Sequence, residues 1–142
     1  MKNISIDQVA VGDREVWTRT ITDADVVLYG GLIGDRGPLH LDEDFATRTR
    51  FGGRVAYGMQ CGGYIGATLA QLLGVGSAYV SQNMRFTGPV LIGDHITVET
   101  VVTGKNEERR RVFVSTTVTK NGGQVVIEGE AELVMFAVDW NP

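Results

Sequence analysis

Apolar residues recur with two different periods along this chain, and the change of period divides it into a helical first half and an extended second half. From Ile96 to Val102 they alternate, with Ile96, Val98 and Val102 on one face and Thr97, Glu99, Val101 and Thr103 on the other. Val112, Val114 and Val118 repeat the pattern, and Val125, Ile127, Ala131, Leu133 and Met135 alternate with Glu128, Glu130 and Glu132. Such alternation belongs to half-buried strands. Asn121-Gly122-Gly123, whose residues accept positive φ, predicts a tight hairpin that pairs the last two strands antiparallel. With Ser77 to Thr87 as a further strand before Gly88-Pro89, the second half reads as a four-strand meander, one face on the core and the other in water.

The first half follows the other period. A short extended piece, Glu15 to Ile21, leads to Thr22-Asp23-Ala24-Asp25, where a threonine with an acid three residues on has the form of a capping box. A helix is expected from Thr22 to about Gly30-Gly31 or Gly34, followed by a loop, Gly34-Asp35-Arg36-Gly37-Pro38, that reaches His40. Asp42-Glu43-Asp44 puts negative charge at the start of a short helix through Phe45 and Ala46, which Phe51-Gly52-Gly53 ends. Between Tyr57 and Leu73 there is no charged residue, so a helix here is apolar nearly all round and must be buried. Gly58, Gly62, Gly63 and Gly66 each cost such a helix about 1 kcal/mol relative to alanine. Close approach of a sheet or a second helix is the physical reason to accept that cost.

Composition narrows the function classes. The 142 residues suit one domain, taken as 1–142, and 43% hydrophobic with 21% charged residues are the proportions of an ordinary folded protein. A net charge of −4 offers no positive field to collect a phosphate backbone, which argues against nucleic acid as a partner. No stretch approaches the roughly 20 apolar residues of a spanning helix, and no membrane partner is expected. The single cysteine, Cys61, and two histidines are too few for a His/Cys zinc site, so no metal is expected, and a reduced, cytoplasmic setting is the default.

The sharpest chemical feature is Gly34-Asp35-Arg36-Gly37-Pro38-Leu39-His40, a carboxylate and an imidazole five apart on a Gly/Pro-shaped loop. Together they can hold a water and move its protons, although spacing alone is equally that of a turn-capping aspartate and an element-starting histidine. His95, opening a strand, reads as a strand-end residue, and Cys61 as a small core residue. The run Lys105 to Arg111 mixes charge signs and reads as a solvated turn, with contact to phosphate groups as the other reading.

At the Gly34 to His40 loop the sequence resembles the MaoC-like dehydratases of the hot-dog fold, which include the (R)-specific enoyl-CoA hydratases and whose signature runs Gly-Asp-x-Asn-Pro-x-His. Leu41-Asp42-Glu43-Asp44-Phe45-Ala46 continues it, Tyr57-Gly58-Met59 stands where the family has His-Gly-Met, and Phe86-Thr87-Gly88-Pro89-Val90 and Ile92-Gly93-Asp94 match its later strand end and turn. The resemblance runs from about Gly12 to Met135. It implies an α+β hot-dog domain, an antiparallel curved sheet wrapped around a long central helix. It also implies reversible hydration of a 2-enoyl thioester, carried by coenzyme A or acyl carrier protein, to a 3-hydroxyacyl product without any cofactor. Asp35 and His40 would be the catalytic pair, the Gly58 N–H the oxyanion donor, and Tyr57 a substrate-binding neighbour. The active form would be a homodimer or higher homo-oligomer.

Three positions depart from the family pattern. Gly37 replaces an asparagine whose amide steadies the loop, Tyr57 replaces a histidine, and Gly66 falls where many (R)-hydratases carry a serine. The Asp/His pair is untouched, and Tyr57 could offer its hydroxyl to a polar acyl chain. Two other functions stay open: a hot-dog acyl-CoA thioesterase, since fold does not fix reaction, and a non-catalytic acyl-thioester-binding subunit.

Overall fold

The computed structural model describes residues 1–139. After a single 3-10 turn, Ile6–Gln8, strand β1 spans Arg14–Thr20 and helix α1 spans Asp23–Ile33. Thr22 caps α1 as its sequence requires. The Asp25 N–H donates to Thr22 Oγ1 at 3.2 Å and the Thr22 N–H returns a bond to Asp25 Oδ2 at 2.9 Å. The helix ends at Gly34, whose φ of 78° is the left-handed value that glycine supplies without a steric penalty. Two short helices follow, α2 at Pro38–Leu41 and α3 at Glu43–Thr47, before the long helix α4, Gly58–Leu73.

Strands β2 (Ser77–Phe86), β3 (His95–Asn106), β4 (Arg111–Lys120) and β5 (Gln124–Met135) complete a five-stranded antiparallel sheet with β1. Its order is β1-β3-β4-β5-β2, which corrects the expected four-strand meander. Only β3, β4 and β5 are joined as neighbours in sequence. Strand β2 pairs with β5 at one edge, and β1 pairs with β3 at the other. The chain leaves β2 through Pro89 and an isolated bridge between Val55 and Leu91, so the connection carries it past the sheet rather than into a hairpin.

One face of the sheet covers α4. Cys61, Ile65, Leu69 and Leu72 form the inward row of the helix and join Val98, Val102, Val112 and Val114 in a continuous core. The alternation seen in β3 and β4 is the burial pattern observed there, with Ile96, Val98, Val102, Val112, Val114 and Val118 all buried. Strand β5 differs at one place. Val125 is exposed and Val126 takes the inward position, because a bulge between Val118 and Thr119 inserts one residue and shifts the face. The hairpin before β5 turns on Asn121, Gly122 and Gly123, all at positive φ.

Helix α4 is not buried all round, which corrects the second expectation. Met59, Gly63, Ala67 and Gln71, four residues apart along one stripe, are exposed, and Met59 is 58% exposed. Close packing accounts for Gly58 and Gly62 on another stripe, while Gly63 faces open space and nothing in the structure calls for glycine there. A Cβ on Gly58 would lie 2.9 Å from Phe86 Cε1, one on Gly62 2.9 Å from Met84 Sδ, and one on Gly66 3.4 Å from Tyr79 Cε2. Gly58 and Gly62 thus receive Phe86 and Met84 of β2 in the close approach that offsets their helix-breaking cost, and Gly66 packs on Tyr79 at ordinary contact distance.

A polar staple fixes the turn before β3. Asp94 accepts hydrogen bonds from the Leu91 N–H (2.8 Å) and Asn121 Nδ2 (2.8 Å), and pairs with Lys120 Nζ at 3.0 Å. Burial alone would raise the Asp94 carboxyl, but these donors and the Lys120 charge outweigh it and hold the group below its ordinary value of 3.8. A depressed carboxyl stabilises the fold above its unfolded pKa and loses that contribution as pH falls through the folded value. Asp94→Ala should therefore cost about 2–3 kcal/mol at neutral pH. Denaturant titrations below about pH 4 should show the difference from the parent shrinking.

Candidate active site

The Gly34 to His40 segment is shaped by its own backbone chemistry. Asp35 Oδ1 accepts the Gly37 N–H at 2.8 Å, closing a turn, and Gly37 is extended (φ −55°, ψ 130°), as a residue before proline must be. Pro38 then opens α2, where its missing N–H costs nothing. His40 therefore sits on a one-turn helix rather than at the end of a loop, with its N–H donating to Gly37 O at 3.0 Å.

The 54–57 stretch clamps this turn from the core side. The Val55 N–H donates to Leu39 O at 3.2 Å, and Arg54 donates from Nε to His40 O at 2.7 Å and from Nη1 to Asp23 Oδ1 at 2.6 Å. His40 Nδ1 lies 2.6 Å from Val55 O. A carbonyl only accepts, so Nδ1 carries the hydrogen of the neutral ring and Nε2 keeps its lone pair. Nε2 of such a ring can accept a hydrogen bond.

Tyr57 is 4% exposed and lies directly behind His40, with ring centroids 3.8 Å apart and planes 23° from parallel. Its hydroxyl donates to the Asp35 backbone oxygen at 2.7 Å, so that proton is committed to the loop instead of being presented to a ligand. Burial raises the Tyr57 hydroxyl above its ordinary pKa, and the nearby Asp35 charge adds to this against a smaller opposing effect of Arg54.

A cavity of about 360 Å³ opens beside this turn, lined by His40, Arg50, Phe51, Gly58, Cys61 and Phe86 among others. Gly58 is the first residue of α4, where backbone N–H groups lack intrahelical partners and carry the positive end of the helix dipole. The structure thus brings His40 and Gly58 to one cavity. Asp35 and Tyr57 do not line it. Asp35 is exposed, and its carboxylate flanks the His40 ring edge across Gly37, where a Cβ would lie 3.1 Å from Asp35 Oδ1 and 3.5 Å from His40 Cδ2. A larger opening of about 550 Å³ near the N-terminal segment lies away from His40.

The remaining candidates fall on structural positions. His95 is exposed at the start of β3, with Nδ1 3.1 Å from Thr20 Oγ1. The Lys105 to Arg111 run is the β3–β4 hairpin, where Lys105 pairs with Glu107 at 2.7 Å. Among the described residues no cluster of three or more His, Cys, Asp or Glu could hold a metal ion, and no helix is long and apolar enough to cross a membrane. Apart from His40 and Gly58, the lining was not read as site residues from the sequence. Arg50 and Phe51 come from a loop that carried no signal beyond the nearby turn residues Gly52 and Gly53, and Phe86 comes from a segment that carried only a resemblance to a strand end.

A five-stranded antiparallel sheet around a central helix, with a histidine turn at the helix N-terminus, defines a hot-dog domain. The MaoC like domain model matches residues 10–124. An (R)-specific enoyl-CoA hydratase of Rhodospirillum rubrum is 40% identical over 132 residues, 92% of this chain and 91% of the relative. A 3-hydroxybutyryl-CoA dehydratase of Methylorubrum extorquens is 39% identical over 92% of this chain and 83% of its own length. The unliganded R-hydratase of Pseudomonas aeruginosa superposes with a TM-score of 0.89 at 36% identity, covering 99% of this chain and 93% of that one. The chain belongs to the MaoC-like domain family, and it is an enzyme of the hydro-lyase class.

Cys61 lines the cavity but is 1% exposed, and burial pushes its thiol up to about 11. At pH 8 the native protein should react with a thiol-specific disulfide reagent at least a hundredfold more slowly than the denatured chain, because the attacking thiolate is scarce and shielded.

Proposed function

We propose that this protein adds water reversibly across the C2=C3 bond of a 2-enoyl-CoA to give a 3-hydroxyacyl-CoA, with Asp35 and His40 as the groups that hold the water. The carrying observation is that the lone-pair nitrogen of His40 and the N-terminal glycine of α4 share one cavity. Nε2 takes a proton from the water as its oxygen bonds to C3. The C2=C3 electron pair moves toward the carbonyl, and the negative charge collects on the thioester oxygen. The Gly58 N–H is the donor for that oxygen, fixed before the reaction and needing no reorganisation. C2 then receives a proton from the Asp35/His40 pair, which restores the starting state. The addition exchanges no electrons with an acceptor, so the scheme needs no redox cofactor.

Coenzyme A is the proposed carrier. Arg50 is exposed at the rim of the cavity and forms no ion pair among the described residues, which leaves its charge for a phosphate. The (R)-specific relative supports an (R)-3-hydroxyacyl product. The active form is proposed to be a homodimer. On α1, Leu28 and Leu32 are exposed, Leu32 by 83%, and with the Met59 stripe of α4 and Val80 on the outer strand β2 they offer an apolar surface that a second copy would cover.

Purified protein with crotonyl-CoA should lose the enoyl absorbance without releasing free thiol, and His40→Ala and Asp35→Asn should each lower kcat by about a thousandfold. Thiol release would make the protein a thioesterase instead. Tight acyl-CoA binding without turnover would make it a binding subunit. Arg50→Ala should raise KM for crotonyl-CoA about two- to fivefold with kcat unchanged. Light scattering should give twice 15.4 kDa.

A further inference from the structure

Tyr57 touches both members of the proposed pair and neither the cavity nor the solvent. Its ring lies flat on the His40 imidazole at 3.8 Å, and its hydroxyl holds the Asp35 carbonyl at 2.7 Å. The Tyr29 ring supports it from the other side at a centroid distance of 5.3 Å. The space for the hydroxyl is made by a residue far away in sequence. A Cβ on Gly30, in the last turns of α1, would lie 2.4 Å from the Tyr57 hydroxyl oxygen and 3.1 Å from both Tyr57 Cζ and Asp35 O. Gly30 is buried within a helix and has ordinary helical backbone angles, so its conformation does not call for glycine. The space does.

We infer that Tyr57 is a positioning residue that sets the His40 ring and the Asp35 backbone relative to each other, and that Gly30 is the gap through which its hydroxyl reaches the loop. This rests on the reading of Asp35 and His40 as the reacting pair. The physical argument is geometric. His40 has one hydrogen bond fixing its ring, at Nδ1, and a single bond leaves rotation about that contact open. A flat aromatic contact removes that rotation. The carbonyl of residue 35, meanwhile, is part-buried and among the described residues finds its donor in the Tyr57 hydroxyl. A misplacement near 1 Å at a reacting group is worth about a hundredfold in rate, so two weak contacts on a non-lining residue can govern turnover.

The tests use the full chain. Tyr57→Phe keeps the stacked ring and loses only the hydroxyl, and should lower kcat for crotonyl-CoA about three- to tenfold. Tyr57→Leu loses both contacts and should lower it about thirty- to a hundredfold. KM should stay within about twofold in each, since neither change touches the cavity wall. Gly30→Ala should lower kcat as much as Tyr57→Phe or more. In the Tyr57→Phe background the same alanine should cost clearly less than in the parent, because the oxygen it strikes hardest is gone and only the 3.1 Å contacts to the ring and to Asp35 O remain; this non-additivity is what a general loss of stability would not produce. The protein has only two histidines, so the His40 ring protons can be assigned in an NMR spectrum. They should move downfield in Tyr57→Leu as the stacked ring is removed. Additive losses in the Gly30/Tyr57 cycle, or unmoved His40 signals, would overturn the inference. A parent protein that hydrates no enoyl thioester would instead overturn the functional reading, and the His40 signals would still decide whether Tyr57 holds the ring.

Discussion

The close contact between the glycine stripe of α4 and strand β2 is the constraint on which the rest of the molecule depends. Without side chains at Gly58 and Gly62, the helix lies near enough to β2 for Phe86 and Met84 to seat in its surface. The sheet can then close around the opposite row, Cys61, Ile65, Leu69 and Leu72. This packing also fixes where α4 begins. Its first residue, Gly58, lines the cavity with His40, so a feature that looks like a loss of helix propensity sits where the positive end of the helix dipole meets the cavity.

The chemistry of the site is set mainly by backbone groups and only secondarily by charged ones. Val55 O decides which nitrogen of His40 carries hydrogen, and the Gly37 N–H decides where one Asp35 oxygen sits. Arg54 spends its charge on a carbonyl and on Asp23 to keep the 54–57 stretch against the His40 turn. The carboxylates held below their ordinary value, Asp25 beside Arg19 and Asp94 beside Lys120, lie elsewhere and hold element ends, with hydrogen bonds outweighing their burial. Charge in this fold therefore tightens the frame, and the cavity is lined largely by rings, methyls and backbone.

Local chemistry was legible from the residues alone wherever one segment determines its own conformation. The Thr22–Asp25 capping box, the Gly34 helix end, the Asn121 to Gly123 hairpin and the inward rows of β3 and β4 all depend on neighbours in sequence. What was not legible depends on distant partners. The alternation of β5 hid a bulge set by its pairing with β4, so Val125 was assigned the face that Val126 occupies. Periodicity gives no strand order, and β2 crosses to β5 instead of joining β3. An apolar helix also reads alike whether its outer row meets its own core or a second molecule, which is why the exposed Met59 row of α4 was unforeseen. At the site, residue types pointed to the Asp35/His40 loop and the resemblance added the helix N-terminus at Gly58, while the cavity walls from Arg50 and Phe51 came from a segment with no chemical signature.

The two departures closest to the site, Gly37 and Tyr57, make sense as one arrangement. At position 37 the resemblance leads one to expect an asparagine whose amide steadies the loop, and here there is no side chain at all. The backbone at Gly37 is not in the left-handed region, so nothing about its angles demands glycine. The Asp35 carboxylate has closed in on the Gly37 N–H until a Cβ would meet it at 3.1 Å. The same loop is held from inside by the Tyr57 hydroxyl on Asp35 O. A loop steadied from within needs no amide on its outer side, and the tyrosine that does the holding is long enough to require Gly30 beneath its tip. Position 57 can carry a large ring only because position 30 carries nothing, and the two positions are linked by a contact that neither local sequence reveals.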